Sequence, residues 1–189
     1  MPMTTTHALV PLAGTLAFAN KPISWRLVLV AVVASALPDI DGLSHRLLGV
    51  PPSSIYYHRG AAHSLFLALA FGFLAAAFHK RLGVGPLIAA VVVAASMASH
   101  GLLDMLTDSG LPVAYLWPLS SIRLFADWRP IHSMPVHWAH LIGQASERLG
   151  YELVHLIIPM FALALAIRTV LALLGTRPKW WLKTARKDC

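Results

Sequence analysis

The stretch that decides the fold is PLIAAVVVAASMASHGLLD, residues 86–104. Its apolar part, Pro86–Leu103, has about the length that a helix needs to cross the hydrocarbon core of a bilayer, near 20 residues. His100 and Asp104 lie one turn apart near its end, so they share one face of the helix. Ionisable side chains within an otherwise apolar helix are energetically costly and usually functional. The stretch therefore predicts a transmembrane helix that carries an imidazole and a carboxylate to one membrane surface.

Four further apolar stretches indicate that the rest of the chain is built in the same way. Two have spanning length, and two have only about a dozen residues, so the short ones form a tilted hairpin or a re-entrant pair. They are roughly Ala62–Phe78, Leu153–Leu174, Ala8–Ala19 and Leu27–Leu37. Only 12% of the 189 residues are charged, against about 25% in soluble domains. We predict an all-α integral membrane helical bundle of about five short transmembrane helices, with one extramembrane excursion at about 105–150.

The basic residues predict how the chain is oriented in an inner (cytoplasmic) membrane. The formal net charge is +7, and Lys and Arg gather in two tight loops and in the tail 177–189. Because short loops rich in Lys and Arg stay in the cytoplasm, we expect these loops and the tail there, below a membrane-embedded domain of residues 1–176. The residues are Lys21, Arg26, Lys80, Arg81, Arg177, Lys179, Lys183, Arg186 and Lys187. Since the basic tail also carries tryptophans, we interpret it as a juxtamembrane segment and expect no nucleic-acid partner.

Acidic residues and histidines gather on the opposite, periplasmic side of this predicted topology. Every acidic residue except Asp188, and every histidine except His79, falls at or near that face. Positive-inside sorting does not explain this distribution, because acidic residues contribute little to it. The only cysteine is Cys189, at the end of the sequence, so a site built from several thiolates is excluded. A metal ion would have to be held by imidazoles and carboxylates.

The first candidate motif is LPDID, residues 37–41. Proline disfavours helical backbone in the residue before it, so we expect the apolar helix to end at or before Leu37. Asp39 and Asp41 then stand at a helix C-terminus, where the negative end of the macrodipole disfavours anions. A bound cation would resolve this conflict, and we interpret both carboxylates as candidate metal ligands. The alternative is a solvated turn rich in aspartate.

The second candidate motif is HRGAAHS, residues 58–64, directly before an apolar stretch. His58 and His63 are five residues apart, so they do not share one helix face, but a turn at Gly60 would let both imidazoles converge on one ion. Arg59 suits an anionic substrate group such as a phosphate or carboxylate. The alternative is that these histidines only interact with water at a helix end.

His100 and Asp104 form the third motif and have three possible roles. Both could bind the same metal ion, or the carboxylate could orient the imidazole. They could also form a buried hydrogen bond that only joins helices. His7 opens the first apolar stretch on the same predicted face and is a further candidate ligand.

The last apolar stretch begins with Glu152 and His155, which are three residues apart and share a helix face. Glu152 is a candidate general base, although a further ligand or an interfacial polar group is an alternative. The remaining histidines of the excursion are interpreted as loop or surface residues, with a short helix expected near Pro135–Leu149. They are His132, His137 and His140.

These motifs together resemble the YdjM-like (LexA-regulated) family of membrane-bound metal-dependent hydrolases. The match runs from about residue 7 to 131 and includes His7, residues 37–41, 58–64 and 99–107, Gly110, residues 116–119 and Arg123. Where the family usually has Phe-Thr before the second histidine of the second motif, this chain has Ala61-Ala62, so a threonine hydroxyl is absent. The resemblance implies hydrolysis with a metal ion. A more distant similarity to zinc-dependent phospholipases C implies a phosphoester or lipid substrate.

The sequence therefore predicts a hydrolase with one or two divalent ions, Zn²⁺ rather than Mg²⁺ because imidazoles are numerous. Its expected partners are the lipid bilayer and an ester or phosphoester of a lipid or other small envelope molecule. The first alternative is a membrane metal-binding protein or an ion or proton transporter without hydrolytic activity. The second alternative is a helix bundle in which the His–Asp contacts are only structural. The proposed ligands are His7, Asp39, Asp41, His58, His63, His100 and Asp104, with Arg59 and Glu152 in the catalytic role.

Overall fold

The computed structural model describes residues 3–19, 23–132 and 141–175, and these residues are helical without any strand. The all-α prediction is therefore confirmed. The helices are α1 Thr4–Phe18, α2 Trp25–Ala36, α3 Gly42–Leu48, α4 Leu65–Ala77, α5 His79–Leu82, α6 Pro86–Met105, α7 Leu141–Glu152 and α8 Ile158–Leu173. Predictions that concern the tail 177–189, Lys21, His137 and His140 lie outside the described residues.

Three helical segments are long and apolar enough to cross a membrane, within the part of the chain that the structure describes. They are Trp25–Ser44, Pro86–Met105 and Ser146–Leu173, and α4 is a shorter apolar helix. Every predicted apolar stretch is helical, but the predicted count of about five spans was only approximate. α1 and α4 have only 15 and 13 residues, which is short for a helix that crosses a bilayer.

The break at Pro38 explains how one of these segments extends beyond α2. α2 ends at Ala36, as the proline predicts, and a 3₁₀ turn over Leu37–Asp41 continues directly into α3. Proline lacks the N–H of a regular helical hydrogen bond, but it is tolerated in the first turn of a helix. The helical path is therefore tightened rather than ended, and both aspartates of the motif lie on the tight turn.

α6 is the central helix of the bundle. It packs against α4, α2 and α1, while α1 also contacts α2 and α8. The buried layer between α2, α4 and α6 includes Ala34, Ala68, Ala89 and Val93. Small side chains let helix backbones approach closely, which is how helices pack when lipid surrounds them. Large apolar side chains such as Phe73, which is 74% exposed, face outward, as expected of surfaces in contact with lipid.

The segment 106–132 has irregular backbone and folds back over the helix ends. It is held by isolated bridges, Thr107 to Ile131 and Val113 to Leu124. Its backbone also bonds to the rest of the chain, since Ala114 N–H donates to the carbonyl of Arg59. The predicted excursion is thus described over residues 106–132, and α7 lies inside its expected range. The short helix expected near Pro135–Leu149 overlaps α7, and its first part, residues 135–140, lies outside the described residues.

A close contact between α4 and α6 leads to a prediction at Gly72 of α4. A Cβ at Gly72 would lie 2.7 Å from the carbonyl oxygen of Ala90 and 2.8 Å from the Cβ of Ala94, so Gly72→Ala should push α4 away from α6. We expect it to lower the free energy of unfolding by about 1–3 kcal/mol, measured by SDS titration in mixed micelles. Gly14→Ala is the matched control, because a Cβ there would meet nothing within 4 Å. Equal stability of the two variants would contradict the close packing.

Candidate metal centre

The structure brings all seven candidate ligands together at the C-terminal end of α6. We call this set the His–Asp cluster: His7, Asp39, Asp41, His58, His63, His100 and Asp104. It contains three overlapping groups, each with ligand atoms within 4.8 Å of one another, and neighbouring groups share His100 or His63. The groups are His7–His100–Asp104, Asp39–His63–His100 and Asp41–His58–His63. Each group could hold a metal ion, although the role of these residues as ligands stays a prediction.

His100 is fixed by a hydrogen bond to α2. Its Nδ1 lies 2.7 Å from the carbonyl oxygen of Ser35. A carbonyl only accepts, so Nδ1 carries the proton and Nε2 of the neutral ring points a lone pair into the cluster. This is the arrangement by which proteins orient histidines that bind metals. The ring of His7 stacks on that of His100, with centroids 3.7 Å apart.

Gly101 allows the second histidine motif to approach α6. A Cβ at Gly101 would lie 2.6 Å from the carbonyl oxygen of His63 and 2.9 Å from the ring of Tyr115. Only glycine permits this contact, which holds His63 close to the helix that carries His100 and Asp104. Nε2 of His63 is consequently 3.4 Å from Oδ2 of Asp104.

The three carboxylates share one pattern. Asp104 accepts a hydrogen bond from Arg59 at 3.0 Å through Oδ1. Asp39 accepts one from the hydroxyl of Thr4 at 2.5 Å through Oδ2. Oδ1 of Asp41 lies 2.7 Å from Nδ1 of His58. In each case one oxygen is held by a neighbouring side chain and the other points into the cluster.

The inward atoms are buried and have no hydrogen-bond partner within the described ranges. They are Nδ1 and Nε2 of His7, Oδ1 of Asp39, Oδ2 of Asp41, Nδ1 and Nε2 of His63, Nε2 of His100 and Oδ2 of Asp104. A buried polar atom without a partner costs about 1–3 kcal/mol. So many of them at one place, all potential metal-ligand atoms, indicate that the cluster is shaped for a cation.

The negative charge of the cluster affects the pKa of His63, which precedes α4. Burial lowers the pKa of His63, but the adjacent carboxylates of Asp104 and Asp41 outweigh that effect and raise it to about 9. The carboxylates therefore favour positive charge at the place where two groups of the cluster meet. A proton on His63 and a metal ion would satisfy the same electrostatic demand.

The cluster is closed on one side and opens on the other. The side chains of His63, His100 and Asp104 are fully buried, whereas that of Asp39 is 11% exposed and that of His58 is 21% exposed. A ligand from outside would thus meet the cluster at Asp39 or at the His58–Asp41 pair.

Arg59 is placed under the cluster rather than at its opening. Its side chain is 1% exposed and donates to Asp104 and to the hydroxyl of Thr107 at 3.1 Å. It also donates to the carbonyl oxygens of Ser109 and Leu111, at 3.2 and 2.8 Å. Its φ of 63° is unusual for a residue with a side chain and indicates a conformation that the surroundings impose. These contacts join Asp104 to the segment that covers the site.

Glu152 lies outside the three groups and contacts the first turn of α1. Its carboxylate accepts hydrogen bonds from the backbone N–H of Met3 at 2.7 Å and from the hydroxyl of Thr6. The first turn of a helix has unpaired N–H groups and favours an acidic neighbour. Glu152 therefore holds the turn that carries His7. The contacts made by Thr4 and Thr6 were missed in the sequence, where three successive threonines before His7 give no pairing signal.

Two further histidines that the sequence analysis considered lie outside the cluster, and His132 is at the surface, as expected. His132 pairs with Asp108 at 2.5 Å, and both side chains are exposed. His155 stacks on Tyr151, with ring centroids 4.2 Å apart. Neither histidine belongs to the cluster.

Comparison with known proteins places this arrangement in a family. The sequence profile described as "YdjM inner membrane protein" matches residues 1–180. The chain belongs to the YdjM family of inner membrane proteins. The resemblance carried by the motifs is therefore confirmed, and the prediction of a membrane protein agrees with the family description.

Two relatives of the YdjM family illustrate the similarity. The chain is 38% identical over 136 residues to the inner membrane protein YbcI of Escherichia coli (strain K12). The aligned residues make up 71% of this chain and 78% of YbcI. The chain is 36% identical over 103 residues to the inner membrane protein YdjM of the same organism, which covers 50% of each chain. No solved structure matches the chain.

The buried Arg59–Asp104 pair leads to a second prediction. Arg59→Met should leave the Asp104 carboxylate without its cationic partner and release the segment 106–132. We expect a loss of about 3–5 kcal/mol in the free energy of unfolding, as for other broken buried ion pairs, measured by SDS titration. Arg129→Met is the control, because Arg129 is exposed and stacks on Phe125 at 5.0 Å. An unchanged stability of Arg59→Met would show that the pair does not hold the fold.

Proposed function

We propose that this member of the YdjM family is a membrane-bound metal-dependent hydrolase, with the His–Asp cluster as its active site. The observation that carries the proposal is the set of buried, inward-facing ligand atoms without partners among the described residues. The carboxylate oxygens among them lie 3.1, 3.3 and 3.4 Å from imidazole nitrogens of His63 and His100, in contacts that do not have hydrogen-bond geometry. All of these atoms face one small volume.

The donors fit one or two divalent ions. The cluster offers imidazoles from His7, His58, His63 and His100 together with three carboxylates. Such a mixture suits Zn²⁺ better than Mg²⁺, which prefers oxygen ligands and water. A tetrahedral zinc site uses about four ligands, so seven donors in overlapping groups favour two ions, or one ion with outer partners. When bound, a divalent ion would supply a water of lowered pKa and would polarise the attacked group.

The chain's own residues hold this centre in place. The Ser35 carbonyl fixes the tautomer of His100, and the hydroxyl of Thr4 orients Asp39. Arg59, which was expected to bind an anionic group of the substrate, donates instead to Asp104 and to backbone carbonyls. We therefore assign it a positioning role. Glu152 was expected as a general base, and its contacts with α1 favour a role in positioning His7.

The substrate we propose is an ester or phosphoester of a lipid or envelope molecule. The cluster lies at the end of the apolar helix α6, and exposed atoms occur only at its rim among the cluster residues. A site at one end of a spanning helix is accessible to molecules at the membrane surface. We also propose that this end faces the periplasm and the tail the cytoplasm, because Lys and Arg gather in the tail and in the loops on the opposite side of the predicted topology.

A transport role is the alternative, and the layer beneath the cluster argues against it. An ion path would need polar groups that continue across the membrane. Below the cluster, the buried residues of α2, α4 and α6 are apolar, such as Val93 and Met97, apart from two serines. The hydroxyls of Ser35 and Ser96 donate to carbonyl oxygens of their own helices. Such a layer would block an ion, so the described residues favour a site that works from one side.

Metal analysis gives a third prediction. The protein purified in detergent should retain one or two zinc ions per chain, because the cluster has donors for that number. Asp104→Asn and His100→Ala should each lose most of this metal, measured by inductively coupled plasma mass spectrometry. His132→Ala, which removes an exposed histidine outside the cluster, should retain it. A wild-type protein without divalent metal, after zinc loading and desalting, would refute the proposal.

The role of Glu152 gives a fourth prediction. If Glu152 positions His7, Glu152→Gln should weaken zinc retention, because the hydrogen bonds from Met3 and Thr6 go to different oxygens of the carboxylate and an amide has only one accepting oxygen. Competition with a fluorescent zinc chelator would show an affinity loss of about 10-fold, as for other outer partners of metal ligands. Glu147→Gln on the same helix should not change it. If Glu152→Gln kept full zinc affinity but lost hydrolysis of 4-nitrophenyl esters and phosphodiesters, Glu152 would be the general base.

A further inference from the structure

A groove on the outer side of α2 leads to the His–Asp cluster. We call it the α2 groove. It has a volume of about 420 Å³, and its walls are apolar apart from two residues. It is lined by Thr4, Val33, Ala36, Leu37, Asp39, Ile40 and Leu43. Asp39 and Thr4 are the polar residues, so the groove combines an apolar channel with a carboxylate of the cluster.

Asp39 belongs to both the groove and the cluster. Its Oδ2 accepts the hydrogen bond from Thr4, and its Oδ1 lies 3.3 Å from Nε2 of His100. A molecule lying in the groove would therefore be separated from the cluster by one side chain. Asp39 is also more exposed than His63, His100 or Asp104. A molecule in the groove could therefore contact the cluster at Asp39.

The outer walls of the groove face hydrocarbon. Val33, Ile40 and Leu43 are 53%, 58% and 48% exposed, although they are large and apolar. They lie on the segment Trp25–Ser44, which is long and apolar enough to cross the membrane. On such a segment, exposed apolar side chains are in contact with acyl chains. The groove therefore opens sideways into the bilayer rather than to water.

The dimensions suit one hydrocarbon chain. Val33 precedes Asp39 by six residues, so the groove extends roughly 9 Å along the helix from the cluster toward the bilayer interior. A chain lying there would remain in an apolar environment, while the linkage at its end would reach the carboxylate. The headgroup beyond the linkage would meet the His58–Asp41 pair, where the cluster is most exposed.

We propose that the α2 groove binds the hydrocarbon chain of a membrane lipid and presents its ester or phosphoester linkage to the Asp39 side of the cluster. This inference rests on the proposed hydrolytic function and narrows its substrate to a lipid that enters from the bilayer. A water-soluble substrate would enter at His58 instead and would not use the groove.

The test compares ligands that share a metal-binding head and differ in chain length. Methyl-, butyl- and octylphosphonate are titrated into the zinc-loaded protein in detergent by isothermal titration calorimetry. Ala36→Phe fills the groove, and Leu43→Trp narrows it from an exposed position that does not disturb the core. Ala76→Phe is the matched control, because Ala76 is half-buried on α4 and lies outside the groove. Zinc content and melting temperature are measured for every variant.

The expected result is an affinity that rises with chain length in the wild type and in Ala76→Phe. Ala36→Phe and Leu43→Trp should bind octylphosphonate about 10-fold more weakly, since about two methylene groups lose their contacts, and methylphosphonate unchanged. An equal gain from chain length in all four proteins would overturn the proposal, because detergent alone would then explain it. So would a wild type that binds the three phosphonates equally.

The same proteins separate the groove from the hydrolytic function. Release of 4-nitrophenol is measured from 4-nitrophenyl acetate, 4-nitrophenyl octanoate and the corresponding 4-nitrophenyl alkyl phosphates. A protein that binds octylphosphonate through the groove but hydrolyses none of these esters would retain the groove and contradict hydrolysis. Hydrolysis of short and long esters at equal rates, unaffected by Ala36→Phe, would retain the hydrolase and overturn the groove.

Discussion

The arrangement of the bundle depends on the burial of three carboxylates beside one another. Asp39, Asp41 and Asp104 lie within one cluster, and anions in a low-dielectric interior repel unless positive charge is near. Arg59 supplies one fixed positive charge, on the outer oxygen of Asp104. The imidazoles offer lone pairs or protons, depending on what else is bound. The inner oxygens therefore favour positive charge, either on an imidazole such as His63 or on the metal ions that we propose, and each of the three candidate groups contains one of these carboxylates.

Helix ends reinforce the same demand. α2 ends at Ala36 and α6 ends at Met105, and both C-termini are directed toward the cluster. Each end adds negative potential through the aligned peptide dipoles of its helix. The outer oxygens of the carboxylates are bound by two segments of the chain: α1 holds Asp39, and the loop with His58 and Arg59 holds Asp41 and Asp104. Metal binding and the packing of distant segments would therefore be coupled, as in other proteins whose ligands come from separate elements.

The sequence predicted most of this site because short spacings carry the information. His100 and Asp104 share a helix face by their separation alone, and Pro38 marks where α2 ends. The sequence could not predict that Glu152 contacts the first turn of α1, because that contact depends on how α1 packs against the last helix. For the same reason the sequence could not predict that the segment 106–132 buries Arg59, which was assigned to an anionic substrate group. The count of about five spans was only approximate, because apolar composition does not fix where a helix begins and ends.

The 3₁₀ turn at Leu37–Asp41 explains why one short motif can serve two sides of the site. In a 3₁₀ helix each residue advances by about 120°, so residues two apart project in directions about 120° from each other. Asp39 accordingly turns toward Thr4 and the lipid-facing side of α2, whereas Asp41 turns toward His58 and the exposed rim. An α-helical continuation would make them project about 160° apart and would bring them closer along the axis, because its rise is about 1.5 Å per residue rather than about 2.0 Å. Proline at position 38 favours the tighter turn. One carboxylate can therefore face the α2 groove while the other faces the rim at His58, and both belong to the same cluster.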